Sequence, residues 1–169
     1  MDAAQFNSVI LPLADQLFRV AKSIVCNDEA AKDAVQELNA KLWENRSQLD
    51  KVQNLTAFAM KSMRNLCLDW LRTRKSDYDV PLDENLIASA PNPHQLMEQK
   101  DLTNYVKQLI DKLPELQRTI IHLRDVEGLE ISEIAAITSI SENAISVNLS
   151  RARQKLRTEL MEKSKKEKI

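Results

Sequence analysis

The run Leu129–Arg157, LEISEIAAITSISENAISVNLSRARQKLR, decides how the chain is read. Its first half is a short apolar helix, ISEIAAIT, with Ile134 and Ile137 turned inward and the small Ala135 where a second helix must cross closely. A polar turn follows, pinned by Ile140, and Ser141 is placed to cap the next helix. Ser139 stands where such turns usually carry glycine. On the second helix Ile145, Leu149, Ala152, Leu156 and Leu160 fall within about 80° of one another at ~100° per residue, so this face packs inward. The opposite face is Asn143, Ser146, Val147, Ser150, Gln154 and Arg157, with Arg151 and Arg153 at its margins. That is the pattern of a helix-turn-helix unit. Small and amide side chains near a helix start suit base edges in a major groove, and arginines further along suit phosphates. Taken alone, the stretch also reads as a surface helix with solvated charges.

Upstream, NLTAFAMKSMRNLCLDWLRTRK makes a second case. Helical geometry from Lys61 places Arg64, Arg72 and Lys75 within an ~80° sector, with Ala59, Met63, Leu66 and Trp70 opposite. One side is core and the other a basic stripe. Thr56 or Asn54 caps this helix. Phe58 and Asn65 fall beside the stripe, and an aromatic and an amide next to phosphate-binding charges can hold unstacked single-stranded bases. Phe58 reads equally as a plug at the bottom of the core, and Leu68, inside the stripe, is unaccounted for.

Between and around these segments the composition sets the fold class. One glycine and five prolines in 169 residues leave few of the turn signals that hairpins need, so the chain is expected to be all-α. Apolar spacing at Phe6, Ile10, Leu13, Leu17, Val20 and Ile24, interrupted by Pro12, predicts two short helical pieces. Asn27 or Asp28 opens a helix that buries Ala31, Val35, Leu38 and Leu42. The stretch SDYDVPLDENLIASAPNPHQ has three prolines and no basic group, which reads as a flexible linker. The expected layout is two small helical domains, 1–76 and 95–169, the second a helix-turn-helix domain, joined by an acidic linker over 77–94. Fully extended, residues 76–93 would reach roughly 60 Å at ~3.3 Å per residue. After the linker come a helix beginning near His94, a helix PELQRTIIHLRDVE started by Pro114, and Gly128 where a helix ends left-handed.

Charge is informative by placement only, since the net formal charge is −1. Lys61 to Lys75 holds five basic residues against Asp69, and the end of the chain is also basic, so two cationic patches flank the acidic connector. Cys26 and Cys67 form no CxxC and read as reduced core thiols. His94 and His122 lack metal-ligand spacing, so no metal and no cofactor are expected. An enzyme would need a nucleophile with a base beside it, and the serines on the exposed second helix do not supply one, so no enzyme is expected. The N-terminus lacks signal-peptide character and no apolar run reaches the roughly 18 residues of a membrane span, so the expected location is cytoplasmic, without membrane insertion.

DAVQELNAKLWENRSQL, NLTAFAMKSMRNLCLDWLRTRK and LPELQRTIIHLRDVEGLEISEIAAITSISENAISVNLSRARQKLR, in this order and spacing, resemble the extracytoplasmic-function sigma factors of bacteria. The resemblance implies partners: core RNA polymerase, and promoter DNA both double-stranded and as a melted strand; the family commonly has an anti-sigma factor too. It implies that Asp33, Gln36, Glu37 and Lys41 dock on polymerase. It further implies that residues 53–65, including Asn54, Phe58 and Asn65, hold the melted upstream element while Lys61, Arg64, Arg72 and Lys75 contact its backbone. Ser141, Asn143, Ser146, Val147, Ser150, Arg151, Arg153, Gln154 and Arg157 would meet the distal element. The pattern departs from the family at Asn39 and Met60, where aromatics are common, and at Ser146, where a basic residue is frequent. Two rival readings stand beside it: a helix-turn-helix regulator whose N-terminal half is a dimerisation or ligand module, and a helical protein-interaction module.

Overall fold

The computed structural model describes residues 1–77 and 97–166, and all of its regular structure is helical among these residues. The acidic connector over 78–94 and His94 lie outside the described residues. In the first domain α1 (Ala3–Ile10) runs through a 3-10 turn (Leu11–Leu13) into α2 (Ala14–Val25). Pro12 sits in the first turn of that restart, where its missing N–H costs nothing. A capping box between Asp2 and Gln5 starts α1. Cys26 then ends α2 in the left-handed conformation at φ 52°, and the Asn27 side chain accepts from the Ala30 N–H to start α3 (Asp28–Glu44). Cys26 is exposed, which corrects its assignment to the core; Cys67 is buried, and burial pushes its thiol up to about 12.

A short α4 (Arg46–Leu49) leads to α5 (Leu55–Asp77). Of the two caps the sequence allows, Asn54 is used: its Oδ1 accepts from the Ala57 N–H at 2.9 Å. Ala59, Met60, Met63 and Cys67 are buried against α2 and α3, with Leu66 and Trp70 part-buried beyond them. Met60 is thus a core side chain.

In the second domain α6 (Met97–Asp111) and α7 (Glu115–Ile121, after Pro114) precede a π-helical turn, His122–Val126. The sequence reads PELQRTIIHLRDVE as one regular helix; its last turn is wider, closed by the Glu127 N–H on the His122 carbonyl at 3.0 Å. Gly128, at φ +72°, supplies the left-handed residue needed to leave that turn. α8 (Ile131–Thr138) and α9 (Glu142–Lys166) form the helix-turn-helix. Ser139 takes the left-handed corner at φ 59° without a glycine, and the Ser141 hydroxyl accepts from the Ala144 N–H at 3.2 Å as the cap. Ile134, Ile137, Ile145, Leu149 and Ala152 are buried at the crossing.

The two domains touch. α5 packs on α8, α2 packs on α7, and one apolar core runs from the first domain into the second.

Candidate nucleic-acid and polymerase interface

Asp33, Gln36, Glu37 and Lys41 are all exposed along one side of α3, because Ala31, Ala34, Leu38 and Leu42 take the buried side. Glu37 and Lys41 pair at 2.7 Å, an exposed i,i+4 contact worth about 0.3–0.5 kcal/mol. A groove of about 680 Å³ runs between α3, α4 and α5. Leu38, Leu42, Leu49 and Trp70 form its apolar wall, and Glu37, Lys41, Asn65 and Phe58 reach it from two sides. The family resemblance implies separate polymerase and DNA faces for these residues; the fold brings them to one concavity. Phe58 is 40% exposed, so it is not a plug in the core. Trp70, which periodicity puts on the core side, also lines the groove, with the Arg74 guanidinium 4.6 Å from its ring centroid. Trp43 packs edge-on to Phe6 at 5.2 Å, under the Arg46 guanidinium.

The basic stripe is less uniform than helical geometry predicts. Lys61 and Arg72 are exposed, Arg72 sharing its charge with Asp69 one turn back. Lys75 lies in the last turns of α5. Arg64 is different: its side chain is 11% exposed and faces the second domain, 3.8 Å from Glu115, with a buried Nε that has no hydrogen-bond partner. This overturns its expected outward position. The same face explains Leu68, which packs against the apolar core one turn beyond Arg64. Asn54 spends its side-chain oxygen on the helix cap.

On α9 the expected outward residues are outward. Asn143, Ser146, Val147, Ser150, Arg151, Gln154 and Arg157 are exposed, while Ile145, Leu149 and Ala152 are buried. Ser146 turns its hydroxyl back to the Glu142 carbonyl, and Ser141 is held as the cap. Arg153 is paired with Asp125 of the π-turn, which raises its pKa and makes it a brace within the domain. A second groove of about 430 Å³ lies along α9 between Ile131 and Ser146, Ser150, Gln154 and Arg157.

Where α2 meets the π-turn, Arg19 donates from Nε and Nη2 to the two oxygens of Glu127 at 2.7 and 2.9 Å. Burial pushes the Glu127 carboxyl up, but hydrogen bonds from Arg19 and Gln16 and the charges of Arg19 and His122 outweigh it and hold it below its ordinary value. His122 Nε2 lies 3.2 Å from Glu127 without hydrogen-bond geometry, and burial pulls the imidazole below its ordinary value despite the carboxylate beside it. The unfolded chain therefore takes up the His122 proton more readily, and stability falls as pH drops through about 6.5. Glu127, also depressed, adds a further loss at lower pH, in the carboxylate range. Thermal melts from about pH 7.5 to 5.5 should show a falling midpoint, and His122→Gln should flatten that slope.

The geometry defines a class: a two-domain helical protein with a helix-turn-helix that turns a polar helix face outward on one domain and an aromatic-lined groove on the other. Residues 9–76 match Sigma-70 region 2, and residues 103–156 match Sigma-70, region 4. The ECF RNA polymerase sigma factor SigW of Bacillus subtilis is 24% identical over 169 residues, covering 94% of this chain and 90% of SigW. The sigma factor RpoE of Bartonella quintana, solved with the anti-sigma factor NepR, superposes with a TM-score of 0.73 at 26% identity, over 93% of this chain and 97% of RpoE. CnrH, solved with the cytosolic domain of CnrY, shares the fold at a TM-score of 0.66 and 20% identity, over 94% and 89% of the two chains. The chain belongs to the sigma-70 family of RNA polymerase sigma factors, in its extracytoplasmic-function group. Among the described residues no helix is long and apolar enough to cross a membrane, and no cluster of metal-ligating side chains is present.

Proposed function

We propose that the chain binds core RNA polymerase in the cytoplasm, directs it to promoters and helps melt them, without covalent chemistry of its own. The observation that carries this reading is the pairing, in one chain, of an exposed α9 face with the groove that joins Phe58 and Asn65 to Glu37 and Lys41. In this reading Asp33, Gln36, Glu37 and Lys41 engage polymerase. Asn143, Ser146, Val147, Ser150, Arg151, Gln154 and Arg157 contact the distal promoter element. Phe58 and Asn65 hold melted bases, and Lys61, Arg72 and Lys75 hold the backbone, joined by Arg64 once it is released from Glu115. Asn54, Ser141 and Arg153 act by shaping their elements, given the caps and the ion pair that occupy them. The domain roles divide as 1–76 for polymerase and the melted element and 95–169 for the distal element, with 77–94 connecting them. An anti-sigma partner is part of the same reading, since the similar RpoE was solved with one.

Selection of promoters from a random DNA pool, with the chain and core polymerase together, tests it. Enrichment of two spaced elements that depends on core enzyme is the expected result. Enrichment of a palindrome by the chain alone would instead identify a dimeric stand-alone regulator.

A further inference from the structure

We propose that α9 selects its DNA through an adenine contact from Asn143 and a thymine-methyl contact from Val147, on a strip of helix that holds no cation. The distal element is then read as A·T pairs, and no guanine is contacted directly by the first two turns of α9. The inference deepens the proposed function and rests on it for the identity of the element, not for the chemistry of the face.

The start of a recognition helix is the part that reaches base edges. Counted from Glu142 at about 100° per residue, Asn143, Ser146, Val147 and Ser150 fall within one sector of about 100°, and all four are exposed. Arg151 and Lys155 lie to one side of that sector, and Arg157 comes about 10 Å beyond Ser150 along the axis. The cations are thus placed for the phosphate walls, and the strip between them is neutral.

Neutrality narrows what the strip can read. Guanine presents two acceptors to the major groove, which arginine or lysine satisfies, whereas adenine presents an acceptor beside a donor, which an amide matches. From Asp125 to Ser150 the sequence contains no Lys or Arg, so α8, the turn and the start of α9 all lack the cation that guanine calls for. Ser146 does not replace it: its hydroxyl donates to the Glu142 carbonyl at 3.0 Å, which leaves it lone pairs to offer. Glu142, exposed in the first turn, adds further acceptors where guanine also presents acceptors. Asn143 is the side chain of this strip with the bidentate geometry for adenine.

Val147 supplies the second contact. It is 39% exposed in the middle of a polar face, and a β-branched residue brings nothing to helix formation there. The C5 methyl of thymine is the group in a major groove that can bury it. Asn143 and Val147 are neighbours at i,i+4, separated by a rise of about 6 Å, which spans roughly two base-pair steps of ~3.4 Å. The two contacts therefore fall on nearby pairs of one short element.

Modified bases test this on the duplex that the chain and core polymerase enrich together from a random pool. Uracil in place of thymine removes only the methyl. At one position of the distal element it should weaken closed-complex binding about fourfold in wild type, the equivalent of one buried carbon at about 0.8 kcal/mol, and leave binding by Val147→Ala unchanged. 7-Deazaadenine, which lacks the N7 acceptor, should cost wild type about fivefold or more within roughly two base pairs of that position, and cost Asn143→Ala nothing further. Both side chains are exposed, so circular dichroism should show the variants fully helical, and each variant is compared with itself on the two duplexes. A uracil profile that is flat, or that Val147→Ala retains, overturns the methyl contact. A 7-deazaadenine loss that Asn143→Ala retains overturns the adenine contact, and an equal loss with 7-deazaguanine overturns the A·T reading. A palindrome enriched by the chain alone would sink the sigma-factor role, while the same substitutions made in that palindrome still decide the readout. No enriched duplex in either setting overturns both.

Discussion

Phe58→Ala should slow open-complex formation by roughly 5- to 150-fold while leaving closed-complex affinity nearly unchanged, the range set by the 1–3 kcal/mol that an aromatic ring contributes per stacked base. The ring is 40% exposed at the mouth of the groove and is not needed to fill the core beneath it, where Ala59, Met60 and Met63 are sealed. Truncation therefore removes a surface for an unpaired base without unfolding α5. Stopped-flow fluorescence of promoter opening, alongside equilibrium binding of the closed complex, separates the two steps. Equal losses in both would assign Phe58 to general binding and remove it from melting.

Ile145→Ala should cost the second domain about 2–5 kcal/mol, the range for truncating a sealed core side chain. Ile145 is fully buried with Ile134 and Ile137 where α8 crosses α9, and a small domain has little stability in reserve. Distal-element binding should fall with it. Val147→Ala, two residues on and exposed, gives the contrast: stability within about 0.5 kcal/mol of wild type but altered binding to the distal element. Urea denaturation of both variants checks the pair, and equal destabilisation would mean that α9 does not present the face described.

Much of this was legible before any coordinates. The helix-turn-helix could be read from Ile134, Ile137, Ile145, Leu149 and Ala152 because a 3.6-residue period states directly which side of a helix is buried. The break at Pro12, the Asn27 cap and the left-handed Gly128 were equally local, each set by the backbone chemistry of one residue. Periodicity failed where a helix has two buried sides. α5 packs on its own domain through Ala59 and Met63 and meets the second domain around Arg64, so a stripe that looks uniformly cationic is in fact divided. Long-range ion pairs added a second blind spot: residue type suggests the Ser141 cap and narrows the other to Asn54 or Thr56, but it does not show that Arg153 is held by Asp125.

The amino-acid order by itself determined the helices, their inward faces, the outward face of α9 and the resemblance that names the family, because these depend on neighbours within a few turns. Only the tertiary structure decided that Phe58, Asn65, Glu37 and Lys41 share one groove, that Arg64 is covered, and that Arg19 and Arg118 fasten one domain to the other. Those outcomes depend on contacts between residues far apart in the chain, Arg19 with Glu127 and Arg118 with Ser23 among them, and no local period encodes which distant partner a charged side chain will meet.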